Sequence, residues 1–108
     1  LFLVKSTNIF AAIPTQLNEE LFEQLLSNDK VLIERIVSKG HQSPESGWYD
    51  QDKNEWVILL EGGAIVSFQD GEDVSLSKGD YLHIPAHQKH RVKWTEPDQK
   101  TIWLAIHY

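Results

Sequence analysis

Residues 79–94 read GDYLHIPAHQKHRVKW. A glycine–aspartate pair leads into a short β-rich run, YLHI, and a proline then breaks the run before alternation resumes. In HRVKW, His90, Val92 and Trp94 share one face and Arg91 and Lys93 the other. The apolar face is the one a strand buries, so His90 points inward from the start of a strand. His87 lies three residues earlier, in the turn that carries Pro85.

Upstream, residues 47–62 read GWYDQDKNEWVILLEG. If QDKN is a hairpin loop, Asp50 stands opposite Glu55, and Trp48 stands opposite Val57 on the same face. Directly opposed Cβ atoms lie about 4.5–5.5 Å apart, and like charges there repel. Burying such a pair is worse. A shared proton, a bound cation or exposure to water would relieve it. With an inward imidazole at hand, a divalent metal is an economical answer, and oxygen and nitrogen donors together suit Fe(II), Mn(II), Zn(II) or Ni(II). Both faces of WVILL are apolar, so alternation leaves the phase open. The other phase places Tyr49, Gln51 and Trp56 inside.

The same punctuation extends outward. From residue 30 on, short runs such as KVLIERIVS, AIVSFQ, DVSLS and TIWLAIHY alternate with turn clusters, a pattern of sandwiches and barrels. Ala64, Val66 and Phe68 should share the inner face with Val74 and Leu76, with Phe68 opposite Val74 across a three-residue loop, Asp70-Gly71-Glu72. Near the N-terminus, LNEELFEQLLSND differs: Asn18 suits an N-cap, Glu19 and Glu20 suit the first turn, and Leu21, Phe22, Leu25 and Leu26 form a stripe. This predicts a short helix over 19–27.

Composition bounds the function. A chain of 108 residues with 41% hydrophobic residues has material for one core. Its net charge of −6 disfavours nucleic acid and anionic membrane surfaces. With no cysteine, disulfides, thiolate metal sites and cysteine nucleophiles are excluded, which fits the cytoplasm. No apolar stretch approaches a membrane span.

Two stretches resemble the cupin superfamily. Glu55 followed after six residues by Gly62 is similar to the second half of that family's first motif. Gly79, Pro85 and His90 match the spacing of the second motif. The resemblance covers roughly residues 30–108, leaving 1–29 as an N-terminal arm and helix packed on the barrel. It implies an all-β double-stranded β-helix, or jelly roll. It also implies one divalent metal inside the barrel, held in the family by two histidines and a glutamate from the first motif and a histidine from the second. Glu55 and His90 match ligand positions. Trp48 and Asp50 stand where the first motif has its histidines, Gln42 stands for its leading glycine, and His87 replaces a glycine of the second.

The expected site is therefore Asp50, Glu55, His87 and His90 around a metal, with Trp48, Val57, Val92 and Trp94 lining the pocket. His41 reads as a solvated loop residue, His83 as facing away, and His107 carries no assignment. Two functions fit: a metal-dependent enzyme acting on a small molecule, or a non-catalytic sensor or carrier with a degenerate metal site. The apolar outer face of EWVILLEG and the extended residues 1–13 favour a homodimer.

Overall fold

The structure is a computed structural model and describes residues 3–108; Leu1 and Phe2, the start of the expected extended arm, lie outside the described residues. Eight strands run in order: β1 (Leu21–Ser27), β2 (Leu32–Ser38), β3 (Glu55–Glu61), β4 (Gly63–Phe68), β5 (Asp73–Ser77), β6 (Tyr81–Ile84), β7 (His90–Thr95) and β8 (Thr101–His107). They form a five-stranded sheet in the order β1-β2-β8-β3-β6 and a three-stranded sheet in the order β5-β4-β7. Every pairing is antiparallel. The expected all-β jelly roll is the fold.

The helix over 19–27 does not form; that segment is β1. A helix of this length is marginal on its own, whereas a strand gains a ladder along an open sheet edge. Asn28 decides the outcome. Its side-chain oxygen accepts from the backbone N–H groups of Lys30 and Val31, both at 2.8 Å, and its own N–H donates to the Val31 carbonyl at 2.9 Å. The residue that reads as a helix terminator is thus the corner of a β1–β2 hairpin. The ladder skips at Leu25, so a bulge absorbs the helix-like spacing of the leucines. Phe22, Leu25 and Leu26 remain about half exposed.

The core lies between the sheets, where Val57, Leu59, Ala64, Val66, Leu76, Ile84, Trp103 and Ala105 are buried together. Val66 pairs with Val74, and Ala64 with Leu76. The inner face is the expected one, but Val66 rather than Phe68 stands opposite Val74. A slip of two residues preserves the face. Phe68 pairs instead with His90, and the Ser67 hydroxyl closes the turn on the Asp73 carboxylate at 2.6 Å.

The outer face of β2 carries a buried Arg35. Its guanidinium holds Glu23 in an ion pair and donates to the carbonyls of Ile9 and Ala11 at 2.9 and 2.7 Å. That fastens the N-terminal arm against the sheet, and it faces a cation away from the interior.

β7 carries the bulge that matters most for the site. Val66 pairs with Val92 but Ile65 pairs with Trp94, so Lys93 is an extra residue on β7. An inserted residue reverses the phase of everything after it. His90 and Val92 face inward as expected, but Thr95, 1% exposed, then takes the inward place and Trp94, 38% exposed, turns out. Trp94 does not line the pocket.

Candidate functional site

At one end of the core the two sheets leave a cavity of about 150 Å³. Its apolar wall includes Val57, Val66, Ile84, Val92 and Trp103, with Phe22 and Ile36 toward the β1–β2 side. Its polar wall is Glu20, Glu34, Glu55, His90 and His107, with Tyr49 and Gln51 beside them. Glu34 and Ile36 share a face of β2, Glu55 and Val57 a face of β3, and Trp103, Ala105 and His107 a face of β8. Each of these three strands therefore brings one titratable group to the cavity end of its inward face.

Two imidazole–carboxylate pairs stand in this space. His90 Nε2 lies 3.6 Å from Glu55 Oε1, with both side chains nearly buried. On its other side, His90 Nδ1–H donates to the Gln88 carbonyl at 2.9 Å, which fixes the ring and aims Nε2 at the cavity. His107 Nε2–H donates to Glu34 Oε1 at 3.0 Å. A third carboxylate, Glu20, accepts from the Ser38 hydroxyl, which in turn accepts from Trp103 Nε1–H at 3.3 Å.

Electrostatics follow from these contacts. For His90, burial opposes the charged ring, but the Glu55 carboxylate and the Gln88 carbonyl outweigh it and hold its pKa above the ordinary histidine value. For His107 the Glu34 hydrogen bond dominates, burial opposes it, and the more distant charge of Glu55 adds to the rise. A histidine raised in the folded state stabilises fully below its unfolded pKa of about 6.5. That contribution is lost as pH rises through the folded value.

Of the four residues expected as metal ligands, the fold brings two together. Glu55 and His90 meet in the cavity; Asp50 and His87 meet elsewhere. The Gly47–Asn54 stretch is not a hairpin arm. Tyr49 bridges His90 by two backbone hydrogen bonds, of 2.8 and 3.2 Å, and Glu55 pairs with Ile84 and His107. The Tyr49 bridge sets the phase of this stretch, so Tyr49 and Gln51 line the cavity while Trp48 and Asp50 point away. Trp48 lies under the Arg91 guanidinium instead, 4.9 Å from its ring centroid. Val57 and Val92 line the cavity, but Trp48 does not. Asp50 Oδ1 takes a 2.8 Å contact from His87 Nδ1, and both side chains are well exposed.

His87 itself sits at a φ of 66°, where the second motif has glycine. With Asp50 and His87 outside, no three of the described His, Asp and Glu residues are arranged to hold one metal ion. The expected four-residue set does not fit such an ion.

Sequence reasoning missed Glu34 and His107. Alternation in TIWLAIHY puts His107 in line with Trp103 and Ala105, which would have placed it inward. Glu34 was hidden because its strand is apolar on both faces.

An antiparallel two-sheet barrel with an internal acid–imidazole cavity defines a small double-stranded β-helix protein. The cupin domain family model matches residues 35–107, and the chain belongs to the cupin family. It is similar, at 40% identity and a TM-score of 0.92, to the crystal structure of a proposed mannose-6-phosphate isomerase from Ralstonia eutropha JMP134, with 96% of this chain and 97% of that one covered. It also resembles a cupin superfamily protein from Desulfitobacterium hafniense DCB-2 (23% identity, TM-score 0.72, 88% and 82% covered). An RmlC-like cupin from Methanocaldococcus jannaschii matches at 16% identity and a TM-score of 0.69 (88% and 84% covered). At these last identities the likeness speaks for the fold alone. No curated protein matches the chain. No helix among the described residues is long and apolar enough to cross a membrane.

Proposed function

We propose that this cupin binds a small molecule in its cavity and moves protons on it, the chemistry of isomerases and epimerases. One observation carries this reading: two histidines, each with its own glutamate, face a single cavity from different strands. Isomerisation beside a carbonyl needs a base to take a carbon-bound proton and an acid to supply one nearby. An imidazole serves as base when neutral and as acid when protonated. The carboxylate of each pair orients its ring and stabilises the charged form. The apolar wall of Val57, Val66, Ile84 and Trp103 limits water around the reacting carbon. The 40% identical relative, described as an isomerase of a sugar phosphate, supports the same reaction class.

The test is proton exchange in D2O, followed by NMR at the carbon beside the carbonyl. Dihydroxyacetone, mannose and their phosphates serve as probes. Exchange on at least one probe is expected, falling at least about 100-fold in His107→Ala and in Glu55→Gln. Binding of a probe with no exchange on any would make the protein a carrier or sensor, the alternative function its cupin motifs also allow.

A further inference from the structure

The only potential cations in the cavity wall are two imidazoles, and each is already paired with a carboxylate. The polar wall sets three carboxylates, from Glu20, Glu34 and Glu55, against two imidazoles, and no lysine or arginine lines it. Most of the basic side chains nearby are engaged elsewhere. Arg35 faces outward to Glu23 and the arm carbonyls, and Arg91 lies over Trp48 and donates to the Glu45 carbonyl. Lys93 is held by Asp73 at 2.6 Å and Lys78 by Glu61 at 3.5 Å. Lys53 is close enough to weigh on His107 but does not line the cavity. No helix is present among the described residues, so none offers an N-terminus to a phosphate. A phosphate ester entering this space would exchange water for the field of three carboxylates, offset only by two imidazoles that are already paired.

The wall suits hydroxyl groups instead. Carboxylates only accept hydrogen bonds, and a polyol brings donors without bringing charge. Glu20 is placed for this: Ser38, itself tied to Trp103, occupies one of its oxygens from the sheet side.

Resting on the proton-transfer reading above, we propose that the cavity selects an uncharged hydroxy-carbonyl compound and rejects its phosphate ester. On such a molecule one pair takes the proton from the carbon beside the carbonyl, and the other gives a proton to the carbonyl oxygen, forming an enediol. Return of a proton to the former carbonyl carbon, with loss of one from the neighbouring hydroxyl, yields the isomer. Composition is unchanged, and no oxidant or reductant is needed. The substrate class thus differs from the phosphorylated sugar in the relative's description.

The experiment compares dihydroxyacetone with dihydroxyacetone phosphate, by calorimetric binding and by deuterium exchange, on wild type, Glu20→Gln and Glu20→Lys. Wild type is expected to favour the uncharged compound at least about 100-fold in affinity. Glu20→Lys should narrow that ratio at least about tenfold and Glu20→Gln by less, because the first replaces a negative charge by a positive one and the second only removes it. The neutral variant serves where the lysine variant does not fold. Equal or tighter binding of the phosphate by wild type overturns the selectivity while leaving proton transfer standing. Binding of the uncharged compound without exchange sustains the selectivity and overturns the proton-transfer reading. Binding of neither compound overturns the proposed substrate class.

Discussion

Gly62→Ala is expected to lower stability by at least about 3 kcal/mol, seen as a fall in melting temperature of roughly 12 °C or more. Two effects combine. Gly62 sits at a φ of 90°, a backbone conformation that costs an alanine about 1–3 kcal/mol. An added methyl would also stand 2.6 Å from Thr101 Cα and 2.8 Å from the Lys100 carbonyl oxygen. Those are backbone atoms, so the β3–β4 corner and the start of β8 must separate. Gly79→Ala is the control. It has the same φ of 90° and open space around the added carbon, so it should lose only the conformational part. A thermal melt in which both variants fall equally would show that close approach to β8 is not what Gly62 provides.

The second large effect separates two tryptophans that strict alternation treats alike. Trp103, 4% exposed, forms part of the cavity wall and donates to Ser38, so Trp103→Ala should cost about 3–5 kcal/mol. Trp94→Ala should cost no more than about 1 kcal/mol, because the Lys93 bulge has already turned that ring toward solvent. Urea unfolding of both variants decides the matter. Comparable losses would mean that β7 continues in phase past Val92 and that Trp94 is inside.

The bulge illustrates where sequence was legible and where it was not. Strand existence was legible from turn chemistry and alternation, and the motif spacing around Gly62, Gly79, Pro85 and His90 identified the barrel. His90 and Glu55 were readable as cavity residues. Phase after a bulge was not, since an extra residue leaves no mark in the hydrophobic pattern of HRVKW. Asp50 and His87 were misplaced for a related reason: a single backbone bridge at Tyr49 sets the facing of that whole loop. The helix over 19–27 had a cap, a first turn and an apolar stripe in its favour, and the vacant edge of β2, reached through the Asn28 corner, overrode them. His107 was within reach of the alternation argument, but Glu34 was not, because charge on a strand buried on both sides has no preferred face.

The arrangement that matters most is the coupling of each cavity histidine to its own glutamate. An NMR titration of the imidazole protons, on wild type, Glu34→Gln and Glu55→Gln, tests it most directly. In wild type both His90 and His107 are expected to titrate above the ordinary histidine value. Glu34→Gln should lower His107 and leave His90 nearly unmoved. Glu55→Gln should lower His90 strongly and His107 slightly, because the Glu55 charge reaches both rings. Titration of either wild-type ring at or below the ordinary value, or shifts indifferent to both substitutions, would contradict the paired site.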